Sequence, residues 1–266
     1  MKKTLFLLVT ILFLIFLTGC LQIETTVTVN TDGSGTVERV FMMQKEILAM
    51  LASMGSMGDE GESEEFELLD EEELKGEASS MGEGVVLVSA EPYETETFSG
   101  YKAVFSYPDI NKLMINQNPA ESVPDSGSEG ETPEEYVTFS FKKGNPATLK
   151  IQLPQDMQGD SGGEDTGSEA EPAAEDMEMM KQIYGTMKMS MHVQVNGSVK
   201  KSNAAYRDGS KITLMEMDFG EVVKNEEKLK LLATQSDESI EGMKALLEGI
   251  PGIKVELQDT VEVVFR

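Results

Sequence analysis

Few side chains in this 266-residue chain could do chemistry: one cysteine, Cys20; one histidine, His192; and a serine set among glycines in Gly159-Asp160-Ser161-Gly162-Gly163. A serine nucleophile needs a histidine to take its proton and a buried acid to orient that histidine. Asp176 and His192 follow Ser161 in an order that could be forced into those roles. No apolar strand precedes Ser161 to build the strained turn that presents such a nucleophile, and Gly, Asp and Ser abound around it. The chain is therefore read as a non-enzyme. Sulfur offers the other chemistry. Met187, Met189 and Met191 alternate along one strand, with Met215 and Met217 on a later one. Thioethers suit soft Cu(I), but strand alternation turns His192 away from the first three methionines, so an apolar face is the expectation and no metal or other cofactor is expected. Unbranched thioether chains adapt to flexible apolar partners, which makes these five methionines the candidate lining of a site for acyl chains. The acidic stretches lack the D-x-[DN]-x-[DN]-G spacing of a preformed calcium loop. Asn196-Gly197-Ser198 is a glycosylation sequon by its letters alone.

The setting of Cys20 is more specific. Lys2 and Lys3 precede an apolar run from Leu5 to Leu17, then Thr18, Gly19 and Cys20. That is the charged, apolar and small-residue order of an export signal. Leu17-Thr18-Gly19-Cys20 resembles the lipobox of bacterial-type lipoproteins. The resemblance implies that residues 1–19 are a signal peptide and that the Cys20 thiol carries a diacylglyceryl group built from palmitate-like chains. Residues 20–266 would then sit at the cell membrane on its extracytoplasmic face, with membrane lipid as the first partner. Two acyl chains matter because each buried methylene contributes about 0.8 kcal/mol and one chain alone anchors only marginally. An uncleaved membrane-spanning helix is the competing expectation, but Thr18, Gly19 and Gln22 interrupt the run near its outer end. With a single cysteine the exported chain has no internal disulfide, so its stability must come from a packed core.

Composition marks three insertions. Residues 55–84 hold 12 acidic side chains and one lysine, residues 117–134 five acids, and residues 155–175 seven. Low hydrophobicity and self-repelling charge cannot offset the entropy of ordering, so all three are expected to be disordered linkers, with a weaker helical signal over 64–75. They carry −23 of the chain's −26. Acidity thus belongs to the insertions, not to the fold. Nucleic acid is disfavoured as a partner because phosphate binding needs clustered Lys and Arg, and the chain has three arginines in all.

Between the linkers the period is two. Leu21, Ile23, Thr25, Val27 and Val29 alternate with polar residues, Thr31-Asp32-Gly33-Ser34-Gly35 supplies turn chemistry, and a second strand follows over 37–42. Further strands are predicted at 85–90, 101–107, 136–142, 147–153, 187–195 and 212–217, with an extended segment at 253–265. Helices are predicted at 44–54, 109–115, 176–184, 226–233 and 237–247. Strands with interspersed helices and no regular βαβ spacing predict an α+β fold, a mostly antiparallel sheet with several short helices. The hairpin with Asp32-Gly33 behind the lipobox, and the run Val195-Asn196-Gly197-Ser198-Val199-Lys200-Lys201-Ser202-Asn203-Ala204 with Asp208-Gly209 after it, resemble the LppM-like lipoprotein domains. That resemblance implies a non-catalytic envelope domain of mixed structure that handles lipid. The expected function is binding of lipid or another apolar ligand at the membrane; a structural or assembly lipoprotein that holds an envelope protein is the alternative.

Overall fold

The computed structural model describes residues 21–49, 68–116, 136–154, 185, 187–225 and 249–266. Cys20, Ser161 and Asp176, the expected linkers at 117–134 and 155–175, and the expected helices at 176–184, 226–233 and 237–247 lie outside the described residues.

Strands form where the period-two runs predict them. β1 (Leu21–Val29) and β2 (Gly35–Gln44) make an antiparallel hairpin that pairs Ile23 with Phe41 and Val27 with Val37. Its turn is held by Asp32, whose carboxylate accepts from the Ser34 N–H at 3.0 Å and the Ser34 hydroxyl at 2.7 Å. Gly33 takes φ +94° there, a conformation that side chains resist. β3 (Val86–Glu94) and β4 (Phe98–Tyr107) form a second hairpin, docked by β4 onto β2. Gly100 in β4 leaves the space that lets Phe41 approach, since a Cβ at this position would land on the Phe41 carbonyl. Later strands complete the sheet: β8 (Lys188–Val195) lies parallel to β1, and β11 (Lys211–Asp218) lies antiparallel to β8, flanked by β10 (Arg207–Asp208) and β12 (Ile253–Val255).

The second sheet runs in the order β5 (Met114–Asn116), β6 (Tyr136–Lys142), β7 (Ala147–Gln152), β13 (Thr260–Phe265), β9 (Val199–Ser202). Its inward residues, among them Leu149, Ile151, Val263 and Phe265, share one apolar cluster with Val27, Val37, Phe105 and Val193 of the first sheet. The extended segment expected at 253–265 is split between the sheets. At the crossing, buried Glu256 accepts from the Ala205 N–H at 2.6 Å and the Leu257 N–H at 3.1 Å.

The α+β expectation is overturned. Strands hold 55% of the described residues and helices 15%, so the fold is mainly β. Its helical parts are minor: residues 45–49, α1 (Glu71–Ser80), a 3-10 turn at Ile110–Lys112 and α2 (Phe219–Val223). The helix expected over 109–115 shrinks to that one turn. Leu113 and Ile115 must both face the core, and an extended backbone with a period of two achieves this from Leu113, which ends the turn, into β5. The reading of 55–84 as linker also fails at its end, because α1 lies within it and buries Leu74 and Ala78. Asp70 caps that helix, accepting from the N–H groups of Glu72 and Glu73, and Glu71, Glu72 and Glu73 favour its N-terminal dipole.

Candidate functional site

Odd-numbered residues of β1 and β2 face the interior, and pairing extends this face sideways through β8, β11 and β12. One row across the sheet reads Tyr101, Phe41, Ile23, Met189, Met217, Ile253. The next row reads Ala103, Arg39, Thr25, Met191, Met215, Val255. Adjacent strands lie about 4.8 Å apart and alternate residues about 7 Å apart, so Met189, Met191, Met215 and Met217 form one compact thioether block. Met189 and Met191 are 9% and 3% exposed, and Met215 and Met217 are half-buried. Met217 packs with Ile253 and Val255 against Val222 and Ile250. Met187, just before β8, is half-buried, and its carbonyl accepts from the Phe219 N–H at 3.0 Å. Of the three methionines expected on one strand and the two expected on another, Met189 and Met191 are thus neighbours of Met217 and Met215 on a single surface, and Met187 lies outside the paired strands. The row of Met189 is two residues from Leu21, about 7 Å along β1.

His192 lies on the other face of this sheet, between Thr26 and Thr213. It is 5% exposed and its Nδ1 has no partner among the described residues. Burial, helped by the cations of Lys211 and Lys254 and opposed by Glu216, lowers its pKa to about 4. It is a neutral structural histidine, remote from the thioethers by strand alternation. Among the described residues, no three of His, Cys, Asp and Glu are grouped to hold a metal ion, and no helix is long and apolar enough to cross a membrane.

Sequence reasoning missed Arg39. It stands in the inward phase of β2 between Val37 and Phe41, is 6% exposed, and forms an ion pair through Nη1 with Glu77 Oε1 of α1. Its Nε has no hydrogen-bond partner among the described residues. Burial pulls its pKa down, and Tyr101 opposes that shift. Burial in turn raises the pKa of the Tyr101 phenol. An arginine in the apolar phase of a strand was the available signal.

The sequence matches no family model and no curated protein. Among solved structures it is similar to the NMR structure of the folded domain of the Mycobacterium tuberculosis LppM protein, with a TM-score of 0.33 and 14% identity over 77% of this chain and 86% of that one. Likeness at that level carries no residue role from one chain to the other.

Proposed function

We propose that this chain is a lipoprotein anchored through Cys20 at the extracytoplasmic face of a cell membrane, and that it binds lipid or another apolar ligand without catalysing a reaction. The observation that supports this reading most is the thioether block. Four methionines from two strands adjoin on the inner face of a sheet whose first strand begins one residue after Cys20. A flexible, polarizable surface suits an acyl chain, which has no fixed shape to complement. Its position near the anchor brings membrane lipid within reach.

The mature protein in lipid nanodiscs, exposed to a diazirine-bearing fatty acid and irradiated, should carry label on peptides spanning 187–195 and 211–218. Met189→Gln should reduce that label while leaving the melting temperature nearly unchanged. A drop in stability of about 1–3 kcal/mol from the buried amide, with no label in the parent protein, would assign the block to core packing alone. In the same preparation Cys20 should carry the diacylglyceryl mass, and Cys20→Ser should lose it.

A second reading is favoured by β3. It is an edge strand of the first sheet, and its Val86, Val88 and Tyr93 are exposed. Such an edge suits an envelope protein partner that adds a strand or covers the apolar side chains. Cross-linking from Val88 to another protein, with no acyl label at the methionines, would favour this assembly role.

A further inference from the structure

We propose that Arg39 recognises the head group of the ligand, so that the site takes an amphiphile carrying a carboxylate or phosphate monoester rather than a neutral lipid; this rests on the apolar-ligand reading above. Four observations support it. First, the guanidinium is buried on the inner face in the same row as Thr25, Met191 and Met215. Arg39 and Met191 are separated by two strand spacings, about 10 Å, with the hydroxyl-bearing Thr25 between them. An anion at Arg39 would therefore send its chain across Thr25 onto the thioether block.

Second, Arg39 has unused donor capacity. Its Nη1 meets Glu77, but its Nε has no acceptor among the described residues. A guanidinium presents a planar fork that matches two oxygens of one carboxylate or phosphate, and the contact of Nη1 with Glu77 Oε1 leaves the Nε side of that fork unmatched among the described residues.

Third, stability does not explain the pair. Replacing a buried ion pair by apolar residues of similar volume is often neutral or stabilising, and Arg39 sits among Phe41, Ala103 and other residues that would pack well against a methionine. A buried arginine held in such surroundings fits a binding role better than a structural one.

Fourth, the pair has a side that faces outward. The Glu77 side chain is less buried than that of Arg39, and it lies in the last turns of α1, whose own buried residues are Leu74 and Ala78. Glu77 thus stands where an incoming anion would stand, and a ligand would exchange one carboxylate for another at Arg39.

The test compares three diazirine probes of equal chain length, a carboxylate, a phosphate monoester and an alcohol, on the mature protein in nanodiscs. The parent protein should label with the carboxylate or the phosphate about tenfold more strongly than with the alcohol, the scale of one charge-assisted hydrogen bond. The double variant Arg39→Met/Glu77→Gln removes both charges together, avoiding an unpaired one, and should bring that ratio to about one while retaining alcohol labelling. Glu77→Gln alone frees the guanidinium and should raise labelling by the anionic probes, a gain that misfolding would not produce. Preference for carboxylate over phosphate, or the reverse, identifies the head group. Excess inorganic phosphate should compete only weakly; full competition would show that the chain contributes nothing and would overturn the proposal. Equal labelling by acid and alcohol in the parent, or an unchanged ratio in the double variant, would overturn the head-group assignment and leave the apolar-ligand reading standing. No labelling by any probe would remove both.

Discussion

His192 shows what burial does to a titratable group. Its folded pKa, about 4, lies below the ordinary value of 6.5. The folded state therefore favours the neutral ring, and the stabilisation is fully present above about pH 6.5. As pH falls from there towards 4, the unfolded chain takes up the proton first and the contribution is lost. Lys211 and Lys254 reinforce this direction and Glu216 weakens it. Between pH 7 and pH 4.5 the parent protein should lose roughly 2 kcal/mol more than His192→Phe, as read from urea unfolding. Parallel losses in the two proteins would show that the ring is hydrated in solution. The same strand alternation that isolates His192 made it legible in the sequence as separate from the methionines. Arg39 was harder to assign, because a single charge in an apolar phase reads equally well as a register slip or a strand edge. Only the pairing of β2 between β1 and β4 fixes it indoors.

Among the elements, strands were legible and helices only in part: residues 45–49 are helical within the expected 44–54, the helix expected over 109–115 is one 3-10 turn, and those expected at 176–184, 226–233 and 237–247 lie outside the described residues. A strand needs only a local period of two, and β1, β6, β7, β8 and β11 begin and end within one or two residues of their predicted bounds. α1 was obscured because its ten residues bury only Leu74 and Ala78 and are otherwise dominated by glutamate, a composition it shares with a solvated linker. What distinguishes it is the Asp70 cap and its tertiary contact through Glu77. Asp70→Ala should therefore cost about 1 kcal/mol and speed amide exchange across 74–81, while β8 and β11 keep their protection. Unchanged exchange in that helix would mean that its packing, not its cap, determines its stability. The parallel pairing of β1 with β8 had no sequence signal at all, since register between strands so far apart depends on which faces the rest of the molecule buries. That pairing is what joins the methionine strands to the row of Arg39.

At the scale of the whole molecule, the chain visits the two sheets alternately. β1 to β4 build the first, β5 to β7 the second, β8 returns to the first, β9 to the second, β10 to β12 to the first, and β13 closes the second. Neither sheet is a continuous piece of sequence, so neither can complete itself before the other, and a single cooperative transition is expected. The hairpin tip is where this coupling can be tested. The Gly33 carbonyl accepts from the Ile110 N–H at 2.9 Å, and Asn111 Oδ1 accepts from the Phe141 N–H at 2.7 Å, which ties the first hairpin to β6. A Cβ at Gly33 would come within 2.8 Å of the Phe141 ring, in a backbone conformation that already disfavours a side chain. Gly33→Ala should thus lower stability by about 2 kcal/mol, through the backbone strain and the displaced ring. Because the contact joins the sheets, exchange should accelerate equally in β2, β7 and β13, and calorimetry should show one transition moved to lower temperature. Two separated transitions, with the second sheet melting first, would show instead that the sheets are independent units. In that case the row from Arg39 to Met215 would belong to a sheet able to form without the other.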